Sequence, residues 1–86
     1  MATALRLDLL PMRSEATIRA IDWDALGRDD SRRLRNLGFD DGVAIQPLHA
    51  APVSRDPIAV RVGRMTVAIR RAHARAMTVE YAVETA

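Results

Sequence analysis

The side chains with chemistry to offer are two histidines, two carboxylate pairs and two arginine clusters. His49 and His73 stand far apart, and neither belongs to an H-x₃-H or HExxH pattern with a second ligand. Arg70 and Arg71 flank His73 and would repel a cation. A surface or structural role is therefore expected for both histidines, with no metal site and no cofactor. Asp29-Asp30 and Asp40-Asp41 would serve acid–base catalysis only if burial drove their pKa values apart. They fall at a helix start and a turn, where carboxylates stay solvated, so no catalytic residue is assigned and no enzyme is expected. The chain has no cysteine, which removes thiolate metal sites, disulfides and a cysteine nucleophile. It also lacks a glycine-rich phosphate loop, so it does not bind a nucleotide by that route.

The arginines raise a third chemistry, binding of phosphate. Arg32-Arg33-Arg35 and Arg70-Arg71-Arg75 are clusters that a nucleic acid requires. Sequence-tolerant single-strand binding also needs stacking aromatics. The chain offers only Trp23, Phe39 and Tyr81, and the last two are read as core. The same shortage argues against an aromatic groove for proline-rich peptides. A nucleic-acid-binding barrel using Arg61, Arg70, Arg71 and Arg75 is thus the alternative reading, and nucleic acid is not expected as the main partner.

Composition sets the frame that must position these groups. The 13 basic residues are all arginine and stand against 11 acids, a net charge of +2, so no broad field of one sign is expected. Hydrophobic residues at 49% and charged residues at 28% mark an ordinary globular chain. An 86-residue chain fits one domain, residues 1–86, and buries roughly 60–65% of its unfolded surface. A small barrel suits so thin a core because closure removes sheet edges. No apolar run is long enough to span a bilayer as a helix. Arg6 and Asp8 interrupt the apolar N-terminus, which reads as part of the mature fold and not as a signal peptide. The absence of cysteine suits the cytoplasm.

Leu5 to Pro11 reads as a short lead-in with Leu5, Leu9 and Leu10 toward the barrel, ended by Pro11. Ala16 to Ile21 alternates as a first strand, and DWDALGRDDS follows as a polar loop carrying Trp23. A helix is expected over Arg28 to Leu37, with Asp29, Asp30 and a capping Ser31 in its first turn and arginines toward its end. Leu34 and Leu37 share its buried stripe, and Asp29 can pair with Arg33. Gly38 is a left-handed stop, which would pack Phe39 on Leu34. Asp41-Gly42 turns the chain into a strand from Val43 to Leu48, where Pro47 demands an edge or a bulge.

Ile58 to Val62 and Met65 to Arg70 flank the Gly63-Arg64 turn. That hairpin pairs Val62 with Met65, Val60 with Val67 and Ile58 with Ile69, all six facing the core. Arg71 to Met77 gives one helical turn. Thr78 to Val83 gives a last strand with Val79, Tyr81 and Val83 inward. The expected fold is mainly β: a small SH3-like barrel of about five strands with a short inserted α-helix.

This order and these residues resemble the FeoA family, the small cytoplasmic partner of the FeoB ferrous-iron transporter. The resemblance runs over roughly Leu7 to Glu80. Its most telling stretch is RRLRNLGFDDGVAI, Arg32 to Ile45, a basic and leucine helix ending in Leu-Gly-hydrophobe. HAAP at His49 to Pro52 and DPIAVRVGRMTVAIRRAHARAMTVE continue the pattern. The family commonly has a glycine in the turn after Leu-Pro, where this chain has Met12, Arg13 and Ser14. FeoA-like domains also end DtxR-type repressors, but a chain of this length leaves no room for a helix-turn-helix, so a stand-alone protein is the better match.

The resemblance implies an accessory protein that binds and regulates FeoB by protein–protein contact at the inner face of the membrane, without spanning it. It brings a family association with transition metal ions, though no ligand is assigned here. The expected contact residues are Arg32, Arg33, Arg35 and Leu37 on the helix, beside an apolar edge from Leu26, Leu34 and Leu37, with Trp23 from the loop. Weak self-association through the strand beside Pro47 is also expected.

Overall fold

A computed structural model describes residues 2–82. Six strands form one antiparallel sheet: β1 (Ala2–Arg6), β2 (Ala16–Ile21), β3 (Ala44–Ala50), β4 (Ile58–Val62), β5 (Met65–Ile69) and β6 (Met77–Ala82). Their order is β1-β6-β2-β3-β4-β5. Three short helices interrupt them: α1 (Trp23–Leu26), α2 (Arg28–Asn36) and α3 (Arg71–Arg75). A 3-10 turn at Leu7–Leu9 follows β1.

The mainly β architecture agrees with the expectation, but the strands number six. The extra one, β1, lies in the segment read as a lead-in and pairs with β6 from Ala2↔Ala82 to Arg6↔Thr78. The strand puts Leu5 half-buried against the core, and the 3-10 turn then buries Leu7 and Leu10 while Leu9 is 58% exposed. A tight turn with Leu10 N–H donating to Leu7 O sets that phase, so the expected Leu5/Leu9 face does not form. Nor does a continuous ladder close the barrel. Among the described residues β1 and β5 remain the edges, while the 3-10 turn and α3 pack on one another and on β6.

Period-2 and turn chemistry account well for the β4–β5 hairpin. Ile58↔Ile69, Val60↔Val67 and Val62↔Met65 pair in the expected register. Five of those six side chains are buried or half-buried; Met65, at the exposed end of an edge strand, is 48% exposed. Pro47 is fully buried in β3, an interior strand between β2 and β4. It accommodates its missing N–H at a bulge between Pro47 and His49, not at an edge. The strand that carries Pro47 is thus not an edge of the sheet, and Val83 lies outside the described residues.

The α2 terminus follows the glycine logic closely. Gly38 adopts φ +101°, Phe39 N–H donates to Leu34 O at 3.0 Å and Gly38 N–H donates to Arg35 O at 3.0 Å. This is the Schellman pair of bonds, and it delivers both Leu34 and Phe39 into the core at zero exposure. Burial of each contributes about 1.5–3 kcal/mol. The start of α2 differs from expectation. Gly27 occupies the cap without a side-chain bond, and Ser31 Oγ instead donates to Trp23 O at 2.9 Å. Among the described residues Asp29 and Arg33 make no ion pair, and Asp30 turns to His73 instead.

A β-carbon added at Gly38 meets nothing within 4 Å, so replacement there probes the backbone alone. Gly38→Ala is expected to destabilise the fold by about 1–2 kcal/mol through left-handed strain. Leu34→Ala should cost about 2–5 kcal/mol by leaving a cavity. Denaturant titration followed by circular dichroism measures both.

Candidate functional site

Trp23, read from sequence as a loop residue, opens helix α1. Asp22 caps that helix, its Oδ1 accepting from Ala25 N–H at 3.2 Å. Gly27, at φ +81°, then turns the chain directly into α2. The two helices meet at an angle that lays Trp23 beneath Arg35, whose Cζ sits 4.4 Å from the ring centroid. The Ser31–Trp23 hydrogen bond fixes the other side of that junction. An open depression follows, lined by Trp23, Asp24, Arg28, Ser31, Arg32 and Asn36. Across the Trp23–Arg35 ridge lies a second one, lined by Gly38, Phe39, Asp40 and Val43.

The structure brings Trp23, Arg32 and Arg35 together and separates them from the rest of the expected set. Arg33 is exposed but does not line either depression. Leu37 is half-buried against the core. Leu26 and Leu34 are core residues, so the expected apolar edge of leucines is absent from the surface. The apolar element of this face is the Trp23 ring. Sequence reasoning missed Arg28, although its spacing to Arg32 and Arg35 places all three on one helix face.

Two members of the second basic cluster, Arg71 and Arg75, are tied into the structure. Arg71 N–H donates to Asp56 Oδ1 and its Nε–H to Arg55 O, both at 3.0 Å, and Nη1 reaches Asp8 O at 3.4 Å. Arg75 Nε lies 3.9 Å from Asp8 Oδ2, a carboxylate whose side chain is only 6% exposed. Arg6 completes that cage with two bonds to Asp8, at 3.0 and 3.1 Å. Arg61, Arg70, Arg71 and Arg75 therefore do not form one free phosphate-binding set.

His49 is exposed. His73 is buried and places Nε2 3.2 Å from Asp30 Oδ2, which ties α3 to α2. Its Nδ1 is buried without a hydrogen-bond partner among the described residues. No group of three His, Asp or Glu side chains among the described residues is placed to hold a metal ion. Asp40 Oδ1 accepts from Asp41 N–H at 2.8 Å, the turn role expected of that pair.

A further depression crosses β2, β3, β4 and β6, with Glu15, Thr17, Gln46, Arg61, Glu80 and Tyr81 among its lining. One of its carboxylates is matched internally: Arg19 grips Glu80 in a two-bond fork at 3.0 and 3.1 Å. That hydrogen bonding holds the Glu80 carboxyl below the ordinary glutamate value of about 4.5; partial desolvation opposes the effect and the Arg19 charge adds to it. A depressed carboxyl contributes stability that is present above its unfolded value and is lost as pH falls through the folded one. The stability gap between the protein and its Glu80→Gln variant should accordingly be constant at neutral pH and shrink as pH drops below about 4.5. Thermal melts across pH read this directly. Arg35→Ala should shift Trp23 emission while costing no more than about 1 kcal/mol of stability.

Among the described residues no helix is long and apolar enough to cross a membrane. The FeoA domain family model matches residues 5–81. The FeoA protein of Chlorobium tepidum superposes with a TM-score of 0.80 at 29% identity, covering 92% of this chain and 71% of that one. Zinc-complexed FeoA of Stenotrophomonas maltophilia, described as a prokaryotic SH3 domain protein and candidate bacterial ferrous iron transport activating factor, is 31% identical. Its TM-score is 0.70, with 87% of this chain and 88% of that one covered. T. acidophilum IdeR shares the fold at 23% identity and a TM-score of 0.71, with 93% of this chain matching 35% of that longer one. No curated protein sequence matches this chain. With the family model spanning nearly its whole length and the same SH3-like sheet in its relatives, the chain belongs to the FeoA domain family.

Proposed function

We propose that this chain is a small cytoplasmic accessory protein of ferrous iron uptake, which binds and regulates a FeoB-type membrane transporter by protein–protein contact. The observation that carries the reading is the α1–α2 face of a FeoA-family protein, held rigid and exposing arginine and tryptophan. Both residue types dominate the energetics of contact surfaces because each combines apolar area with a directional polar group. The candidate role described for the S. maltophilia relative, that of a ferrous iron transport activating factor, supports the same direction. The action is allosteric or scaffolding: the chain docks as one rigid piece and biases the transporter's state, and it catalyses nothing itself. Trp23, Arg32 and Arg35 form the centre of the contact, with Arg33 and Leu37 at its margin.

The Arg32→Glu/Arg35→Glu double variant should lose at least about tenfold in affinity for the transporter's cytoplasmic region, the equivalent of about 1.4 kcal/mol. Arg33→Glu should lose less. Pull-down with that purified region measures the binding, and a melting curve confirms that the fold survives. Undiminished binding by the double variant would remove this face from the interaction.

A further inference from the structure

We infer that the depression between α1 and α2 is a receptor for an acidic segment of a protein partner, with Arg28 as an anchor alongside Arg32 and Arg35. The inference rests on the contact reading above and adds the chemistry of what docks. Arg28, Arg32 and Arg35 stand at i, i+4 and i+7, one stripe along α2. Among the described residues none of the three is in an ion pair, and Asp24 is the only carboxylate lining the depression. Two features of the arrangement work against the free helix. Like charges four apart repel, and Arg28 puts a cation at the first position of α2, where the macrodipole favours an anion. An incoming carboxylate relieves both.

The face is also organised in advance. The Ser31 bond to the Trp23 carbonyl and the Arg35–Trp23 stack restrain the side chains before anything binds. A stacked guanidinium keeps its in-plane N–H groups free for a carboxylate fork. Beyond the ridge, the second open depression offers the half-buried Trp23 and Val43 as apolar lining for a neighbouring side chain of the ligand. The ligand this describes carries glutamate or aspartate followed by an apolar residue. A nucleic acid strand fits less well. Successive bases need several stacking platforms, and this face has one.

Trp23 is the sole tryptophan, so intrinsic fluorescence reports on the face without a label. The probes are a short Glu/Leu peptide, the matched Gln/Leu peptide and an oligothymidylate. The Glu/Leu peptide should change Trp23 emission saturably. Its affinity should fall by about tenfold or more in Arg28→Gln, a variant that keeps a good helix former, and should weaken with salt. Arg61→Gln, on a different surface, should leave the titration unchanged. No saturable change, an equal response to the Gln/Leu peptide, or tighter binding of oligothymidylate overturns the inference. If the Glu/Leu peptide binds yet fails to displace the transporter's cytoplasmic region, the receptor stands and the contact reading falls. If that region binds through this face and the peptide does not, the acidic-segment inference falls alone.

Discussion

The contact of Leu34 with Phe39 across Gly38 is the constraint on which the rest depends. Both side chains are fully buried, and both are placed by two backbone hydrogen bonds that only a left-handed residue at position 38 permits. A nine-residue helix is too short to be stable by itself in water. Anchored through Leu34 and closed by Phe39, α2 becomes as rigid as the sheet it rests on. Its arginines then occupy definite positions and do not sweep a volume of solvent.

A second set of ties works through charge. Asp8 is nearly buried, and such a carboxylate is tolerated only when paired. Arg6 and Arg75 supply the pairing, and Arg71 adds bonds to the Asp8 backbone and to the loop at Arg55 and Asp56. These groups join the 3-10 turn, α3 and the long loop at the side where β1 and β5 are left as edges. His73 and Asp30 link α3 onward to α2. Arg71 and Arg75 thus act inside the fold, whereas the arginines of α2 make no ion pair among the described residues.

Helix α2 is therefore divided by function along its length. One face has only Leu34 fully buried and carries the packing. Another bears Arg28, Arg32 and Arg35 in a row, of which only Arg35 has an intramolecular partner among the described residues, the Trp23 ring. Arg28 and Arg32, exposed and without an ion-pair partner among the described residues, leave that face available to a partner. Trp23 joins them because the short α1 and the left-handed Gly27 fold the chain back on itself.

Local chemistry made much of this legible. Strict alternation over Ile58–Val62 and Met65–Ile69 around a two-residue turn dictates the hairpin register, because slipping by one would expose every valine and isoleucine. The Leu34-Gly38-Phe39 spacing dictates the helix stop, because few residues other than glycine adopt that backbone without strain. The FeoA resemblance was legible in that same stretch. What depends on partners distant in sequence was not legible. Strand β1 is short and weakly patterned and exists because β6 supplies its ladder. Arg13 takes φ +71° where a glycine would be easier, with its N–H bonded to Pro47 O and its carbonyl to Gln46. The split of the arginines into internal ties and a free row, and the stacking of Arg35 on Trp23, likewise came only with the tertiary structure. Turn types and side-chain periodicity act over a few residues, so the sequence alone suffices for them; pairing of charges and rings depends on which surfaces meet, and only the packed chain decides that.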